Sequence, residues 1–217
     1  MKSDKTGISN LRSHAGSDED YWTTRYEDNG TSGAGSYGKL AEFKAKTINE
    51  FITSKNIEGI IDFGCGDGNQ ASKFSVKRYT GLDIASTAIA LCRTKFQDDP
   101  TKKFLSLTEF GTKRFQEDLT ISLDVIFHIT SDENFTQYME ILFSSSTRFC
   151  IIYSSNCKDL DTNSAHVKGR KFTDWIEKNK PNWSLITIVK NEFPYSIIKN
   201  SRESSFSDFY IYELVSE

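Results

Sequence analysis

Three closely spaced glycines follow an apolar run in the segment IIDFGCGDGNQ, residues 60–70. An apolar strand that runs into an acid and then into Gly64, Gly66 and Gly68 is typical of a strand, a tight turn and a helix start. Glycine turns this sharply without strain, and it lets a ligand approach the backbone because it has no Cβ atom. The segment therefore predicts a loop that binds a small ligand.

The charges beside this loop narrow the choice of ligand. Asp62 and Asp67 bracket the turn and would repel the pyrophosphate that a dinucleotide lays on a helix N-terminus. A second predicted strand ends about twenty residues later at Asp83, where such sites place an acid on ribose hydroxyls. A nucleoside with positive charge and no phosphate, such as S-adenosylmethionine, fits best. A NAD site and a tight turn without a ligand are the alternatives.

These segments resemble the first two motifs of class I S-adenosylmethionine-dependent methyltransferases, with GLDIAS, residues 81–86, as the second motif. The resemblance covers most of the chain. Further segments are similar to a narrower group, the methyltransferase modules associated with O-antigen or viral glycan assembly; they are YWTTRYEDNGTSGAGSYGKLAEFKA, ISLDVIFHIT, IIYSSN, HVKGRKFTDWI and SFSDFYIY. The resemblance implies methyl transfer from S-adenosyl-L-methionine, with a glycan or glycolipid precursor as acceptor.

The apolar pattern predicts alternating strands and helices. A helix is expected from Lys39 to about Thr53, and strands are expected at 59–63, 79–83, 103–107, 119–127 and 148–154. The runs WSLITIVKNEF and SSFSDFYIYELV are separated by too little chain for a helical crossover, so they should pair as an antiparallel hairpin. The expected fold is α/β, a Rossmann-like doubly wound, mostly parallel sheet with a C-terminal antiparallel hairpin.

Composition bounds the class of protein. The 217 residues are 37% hydrophobic, which is enough for one sizeable core, so we expect a single domain with residues 1–38 as an N-terminal arm or lid. A net charge of -3 provides no basic field for a nucleic acid. No apolar run approaches the ~20 residues of a membrane span, and the cysteines lack the CxxC spacing of a zinc site. We expect a soluble cytoplasmic protein with a carbohydrate or small-molecule acceptor.

The two motifs and the resemblance together supply the cofactor-binding residues. The backbone of Gly64, Cys65 and Gly66 is expected against the methionine part, with Asp83 on the ribose. Asp62 is expected to order the loop or to meet the amino group. The fold further implies a wall for the adenine and an arm that closes over the cofactor; the wall is Ile84, Thr108, Glu109, Phe110 and Leu123, and the arm supplies Tyr21, Trp22 and Arg25.

Several of these assignments have structural alternatives. Ordinary core packing is as good an explanation for the apolar residues of the wall. The ring faces of Tyr21 and Trp22 would attract a sulfonium, or would only hold the arm down. Lys44 is a candidate for the methionine carboxylate, although a solvated lysine is the more common finding on a helix.

An oxygen acceptor calls for a base, because a hydroxyl is a poor nucleophile until its proton leaves; a positioned base contributes roughly 10²–10⁴-fold. His128 follows the predicted fourth strand, at the edge where open α/β sheets bind ligands, and is the first candidate. His166 is the second, and Asp124 is expected to orient the acceptor or His128. A loop histidine satisfied by backbone is the alternative for His128. Asp124 and Asn156 could hold Mg²⁺, but a clear second acid is missing, so no metal is expected.

The sequence thus predicts O-methylation of a sugar hydroxyl. A small molecule or a protein is an alternative acceptor, since the low net charge suits them equally. The alternative from another class is a non-catalytic module that binds S-adenosylmethionine within a larger glycan-assembly polypeptide.

Overall fold

The computed structural model describes residues 18–113, 115–159, 166–195 and 203–215. The strands are β1 (Gly59–Phe63), β2 (Arg78–Asp83), β3 (Lys102–Ser106), β4 (Glu117–Leu123), β5 (Ser146–Ser154), β6 (Trp183–Val189) and β7 (Asp208–Leu214). The helices are α1 (Asp18–Glu27), α2 (Gly38–Lys55), α3 (Ser86–Lys95), α4 (Leu107–Lys113), α5 (Asp132–Ser144) and α6 (Phe172–Asn179). Within these ranges, no helix combines the length and the hydropathy that crossing a bilayer requires.

All the strands join one sheet in the order β3-β2-β1-β4-β5-β7-β6. Strands β1 to β5 are parallel, whereas β7 pairs antiparallel with both β5 and β6. The predicted α/β fold with its C-terminal antiparallel hairpin is therefore confirmed. Because the strand order reverses beside β1, a crevice opens between the carboxyl ends of β1 and β4, where sheets of this kind bind ligands.

Successive side chains of each strand enter two different apolar layers. Ile60 of β1 packs in the layer that α2 and α3 cover, and the next residue, Ile61, packs in the layer that α4, α5 and α6 cover. Both isoleucines are fully buried. The alternation leaves the inner strands apolar on both faces, as is usual for a parallel sheet with helices on each side.

The fourth strand is shorter than predicted. The apolar run suggested a strand over 119–127, but β4 ends at Leu123 because the next residue, Asp124, takes a left-handed backbone with φ 61°. A short 3₁₀ turn over Ile126–His128 follows, and Ile126 points back into the core. The run is therefore apolar because the turn is packed against the core, and the turn moves His128 out of the sheet plane.

Strand β7 carries the C-terminal hairpin into the core, and Phe209→Ala tests this packing. We expect the substitution to lower the free energy of unfolding by ~3–5 kcal/mol, because the buried ring leaves a cavity beside Phe43 and Tyr153. Leu185→Ala on the exposed strand β6 is the matched control and should cost less than ~0.5 kcal/mol. Urea denaturation measures both, and equal losses would contradict the described packing of β7.

Candidate active site

A cavity of about 380 Å³ opens at the carboxyl ends of the central strands. Its walls come from the loop after β1, the turn after β2, the segment after β4, helix α1 with the residues that follow it, and the segment before β7. The lining includes Gly66 of the glycine loop, the charged side chains of Arg25 and Asp83, the two histidines His128 and His166, and the aromatic ring of Phe206.

The buried carboxylate of Asp83 fixes the glycine loop to the end of β2. One oxygen accepts the N–H of Gly66 at 2.9 Å, and the other accepts the N–H of Ala85 at 2.9 Å. Burial nevertheless raises the pKa of Asp83 to about 6, because the loss of water outweighs these hydrogen bonds. Each oxygen keeps a second lone pair, so the carboxylate can still accept from a diol in the cavity.

The glycines of the loop make room for neighbouring parts of the chain. The N–H groups of Gly64 and Cys65 both donate to the carbonyl of Leu82, and the Cys65 side chain turns into the core. Gly66 has φ 56°, and a Cβ atom there would lie 2.1 Å from Oγ of Ser32. The sequence correctly indicated a tight turn, but Gly66 is also needed for the N-terminal segment to close over the loop.

Asp67 anchors that N-terminal segment, a role that sequence reasoning missed. Its carboxylate accepts the N–H of Ser32 at 2.9 Å and the hydroxyl of Tyr37 at 2.7 Å. In return the N–H of Asp67 donates to Oγ of Ser32, which also bonds the hydroxyl of Tyr26 at 3.0 Å. Burial raises the pKa of Asp67, but the Ser32 and Tyr37 donors outweigh it and leave the pKa below its ordinary value.

Helix α1 forms one wall of the cavity. At its start, the carboxylate of Asp18 accepts the N–H and the hydroxyl of Thr130, at 3.1 and 2.9 Å. Trp22 packs beside Tyr26 with the alanines of the turn into α3. All three residues predicted from the arm, Tyr21, Trp22 and Arg25, line the cavity. The first 17 residues of the predicted arm lie outside the described residues.

Arg25 offers a positive charge to this cavity. Its Nε donates to the carbonyl of Thr31 at 2.6 Å, its Nη1 donates to the hydroxyl of Tyr21 at 3.1 Å, and its guanidinium lies 5.6 Å from the Trp22 ring centre. These partners are all neutral, and within the described ranges no carboxylate forms an ion pair with Arg25. The guanidinium therefore suits the carboxylate of a ligand.

Three rings are stacked along the same wall. Tyr21 stacks on His166 with ring centres 4.4 Å apart, and His166 stacks on His128 at 5.5 Å. The edge of Trp22 meets His128 at 5.0 Å. The two histidines that the sequence analysis singled out, 38 residues apart in the chain, are thus brought together.

The environment of His128 fixes its tautomer. Nδ1 lies 3.1 Å from the backbone carbonyl of His166. Since a carbonyl can only accept, Nδ1 carries the hydrogen and Nε2 of the neutral ring is left as an acceptor. Burial lowers the pKa of His128 below its ordinary value of 6.5, so the ring is neutral at pH 7.

Asp124 lines the cavity but is engaged elsewhere in the structure. One oxygen pairs with the amine of Lys44 at 2.8 Å, and the other accepts the hydroxyl of Ser207 at 2.7 Å. Neither hydrogen bond involves His128. The Lys44 side chain is only 1% exposed and lies behind Asp124 rather than in the cavity wall. The expectation that Lys44 reaches a ligand carboxylate is therefore corrected, because its amine neutralises Asp124.

The apolar wall lies partly where the sequence placed it. Ile84 after β2 and Leu123 at the end of β4 both line the cavity, and their contact with an adenine stays a prediction. Leu107, the first residue of α4, lines it too and was missed. The three residues after Leu107 had been assigned to the wall instead.

The start of α4 turns those three residues away from the cavity; they are Thr108, Glu109 and Phe110. The Glu109 carboxylate accepts the N–H of Ser106 at 2.7 Å, while the N–H of Glu109 donates to Oγ of Ser106 at 3.2 Å. This reciprocal pair is a capping box, and the segment SLTE was its sequence signal. Thr108 is exposed, and Phe110 is buried against Phe63.

Asp62 orders the region below the loop. It is buried outside the cavity wall and accepts the hydroxyl of Tyr79 at 2.6 Å. Burial raises the pKa of Asp62 to about 7. This hydrogen bond joins Asp62 to β2, and ordering of the loop and contact with an amino group both stay predictions.

The described part of the chain has no group of three or more His, Cys, Asp or Glu side chains that could hold a metal ion. Asn156, one of the two oxygen ligands considered for Mg²⁺, instead donates its amide to the hydroxyl of Thr173 at 2.9 Å. The other, Asp124, is neutralised by Lys44.

Comparison with known proteins agrees with this architecture. A family model described as a methyltransferase domain matches residues 61–144. The magnesium protoporphyrin IX methyltransferase of Synechocystis PCC 6803, solved with bound SAH, has a TM-score of 0.62 at 16% identity and covers 91% of this chain and 98% of its own. The N-methyltransferase NodS of Bradyrhizobium japonicum WM9, in complex with S-adenosyl-L-homocysteine, has a TM-score of 0.63 at 13% identity, covering 81% and 87%. Comparison with curated protein sequences gives no match.

At these identities the structural likeness establishes the fold. The fold is the Rossmann-like fold of class I methyltransferases, and residues 61–144 are similar to the model of a methyltransferase domain. The glycine loop, Asp83 and the cavity lie where that fold places its ligand, at the carboxyl ends of the first two strands.

The raised pKa of Asp83 predicts a pH dependence of ligand binding. Affinity for S-adenosylhomocysteine should be full above about pH 6 and should fall as the pH drops through that value, because the ionised carboxylate is the better acceptor for a ribose diol. Calorimetry between pH 5 and pH 8 measures this dependence. Asp83→Asn, which does not titrate, should bind about tenfold or more weakly and without the step. A step of the same size in the variant would show that another group causes it.

Gly66→Ala tests the closure of the N-terminal segment. We expect it to weaken S-adenosylhomocysteine binding by more than about tenfold, because the added Cβ atom would displace Ser32 and Tyr26. Gly38→Ala is the matched control, since Gly38 has a φ of 55° and open space around its added Cβ atom. It carries the same backbone strain without the collision, so equal effects of the two variants on binding would contradict the packing explanation.

Proposed function

We propose that this protein transfers the methyl group of S-adenosylmethionine to a hydroxyl oxygen of a sugar, in a glycan or glycolipid precursor. The observation that carries the proposal is His128, a neutral histidine with a fixed tautomer in the wall of the ligand cavity. An oxygen acceptor needs a group that takes its proton, and His128 has the charge state and the free nitrogen for this task.

The residues of the cavity fit S-adenosylmethionine part by part. Asp83 suits the ribose hydroxyls and Arg25 suits the methionine carboxylate. Ile84 and Leu107 supply apolar surface for the adenine, and the aromatic residues of α1 offer ring faces for a sulfonium. Together these assignments leave the His128 side of the cavity for the acceptor.

The protein has to align the acceptor hydroxyl with the methyl carbon and to remove the proton of that hydroxyl. When bound, S-adenosylmethionine supplies a methyl carbon that is already activated for displacement. Nε2 of His128 accepts the proton of the acceptor hydroxyl as its oxygen attacks, and the resulting second N–H leaves the ring positively charged. The carbonyl of His166 keeps Nδ1–H oriented throughout. Helix α1, held by Asp18 and Trp22, forms one wall of the site.

Two observations favour a neutral acceptor such as a sugar. The acids beside His128 are already engaged, Asp124 by Lys44 and Ser207, and Asp18 by Thr130. The cavity lining also includes the neutral polar side chains of Asn134 and Ser205. Amides and hydroxyls of this kind hydrogen-bond hydroxyls without selecting for charge.

A direct test is methyl transfer to a panel of acceptors that covers methyl glycosides, nucleotide sugars, amines and catechols. The assay measures release of S-adenosylhomocysteine, and mass spectrometry identifies the methylated atom. Methylation of a sugar oxygen is the expected result. Transfer to nitrogen, or to a non-sugar hydroxyl in preference to every sugar, would overturn the proposed acceptor. Cofactor binding without any transfer to the panel would favour a non-catalytic module.

His128→Gln should lower kcat by roughly 10²–10⁴-fold while leaving the Kd for S-adenosylhomocysteine within about twofold, because glutamine keeps polarity but is not a base. His166→Gln is the matched control. The group that orients His128 is a backbone carbonyl, which this substitution retains, so its loss in kcat should be much smaller. Equal losses in the two variants would contradict the assignment of the base to His128.

The lowered pKa of His128 also predicts the acidic limb of the pH profile. As the pH rises, kcat/KM should reach its plateau with a midpoint below 6.5, since the base is active only when it is neutral. Rates for the acceptor, measured from about pH 5 to pH 9 with S-adenosylmethionine kept saturating so that the titration of Asp83 does not contribute, give this midpoint. The limb should be absent from the residual activity of His128→Gln. An unchanged limb in that variant would assign it to another group.

A further inference from the structure

The cavity extends well beyond the part assigned to the cofactor. It is lined after β2 by Asp83, after β1 by Gly66, and at its other side by Ser205 and Phe206, which precede β7. The order β2-β1-β4-β5-β7 separates these walls by four strand spacings, which corresponds to roughly 19 Å. A nucleoside at β1 and β2 therefore leaves the β7 side for a second molecule.

The β7 side is built around a pair of stacked aromatic rings. Tyr195 and Phe206 lie with ring centres 3.9 Å apart and an interplanar angle of 26°. The N–H of Tyr195 donates to the carbonyl of Ser205, and the N–H of Ser205 donates to the carbonyl of Phe193, both at 2.9 Å. The side-chain amide of Asn191 donates to the same two carbonyls. These bonds hold the two segments side by side and fix the rings as a pair, here called the aromatic shelf.

The shelf remains exposed although its rings are large and apolar. Phe206 is 50% exposed and Tyr195 is 42% exposed, even though each ring covers part of the other. Because Phe206 also lines the cavity, this exposed aromatic surface is within reach of a ligand that enters it.

In the described part of the chain, two basic side chains of α2 on this side of the molecule are paired. Lys39 and Glu203 form an ion pair at 3.0 Å, and the buried amine of Lys44 is neutralised by Asp124. Ser205, which precedes Phe206 in the chain and also lines the cavity, is neutral. A phosphate or carboxylate would lack a free cation among these residues, so the shelf favours a neutral ring that also carries hydroxyl groups.

We propose that the aromatic shelf is an acceptor subsite that takes the C–H face of a neutral pyranose ring. The C–H bonds on one face of such a ring carry partial positive charge and stack on the negative face of an aromatic ring, here Phe206 with Tyr195 behind it. The hydroxyls at the sugar's edge then meet the neighbouring Ser205. This inference rests on the proposed function and gives it a substrate-recognition residue, Phe206.

Saturation-transfer NMR with methyl glycosides of glucose, galactose and mannose tests the subsite, with the protein saturated with S-adenosylhomocysteine. We expect at least one glycoside to bind with its ring protons in closest contact. Phe206→Ala should weaken that binding by about tenfold, and Phe206→Trp, which keeps an aromatic face, should restore it. Leu185→Ala, an exposed apolar residue on β6, is the matched control and should bind like the wild type.

Each outcome separates this inference from the proposed function. The Kd for S-adenosylhomocysteine, measured by calorimetry, should agree within about twofold among all variants. The shelf lies across the cavity from Asp83 and Gly66, where the nucleoside is proposed to bind. Glycoside binding that is insensitive to Phe206→Ala overturns the subsite. Binding of catechol through Phe206, with no glycoside bound, overturns the choice of a sugar. If the wild type does not bind S-adenosylhomocysteine at all, the proposed function itself fails along with the subsite.

Discussion

The buried carboxylate of Asp83 is the interaction on which the rest of the site depends. It accepts the N–H of Gly66 from the loop after β1 and the N–H of Ala85 from the turn after β2. One side chain therefore holds together the loop after β1 and the turn after β2, which form two walls of the cavity. Burial keeps the pKa of Asp83 raised, so the carboxylate is an unusually strong acceptor that water does not satisfy.

The N-terminal segment packs over the glycine loop that Asp83 holds in place. Ser32 occupies the space that the missing side chain of Gly66 leaves, and Asp67 bonds the segment from the far side of the loop. Helix α1 is thereby placed against the turn after β2, with Tyr21 and Trp22 facing the histidines. The glycine loop and His128 are thus linked through one covering segment, which explains why this polar, glycine-rich segment has so many side-chain contacts.

The sequence predicted the fold well, because the sheet depends on patterns that are local. Apolar runs of strand length and the short link between β6 and β7 are visible without tertiary contacts, and the sheet order confirms both. The wrong boundary of β4 has a physical cause in the left-handed Asp124, since an apolar residue in a core-facing turn looks like a strand residue. The resemblance placed Glu109 at the adenine, whereas in the structure its carboxylate is engaged in a capping box with Ser106.

The sequence by itself determined the glycine loop, the acid at the end of β2 and the histidines as candidates, because each sits at a fixed distance from a strand end. Only the tertiary structure decided which side chains are free to act. Lys44 and Asp124 are 80 residues apart and neutralise each other, whereas Tyr21, His166 and His128 come from three distant segments and stack. Pairing and desolvation depend on neighbours in space, and those neighbours set the charge state and orientation of His128.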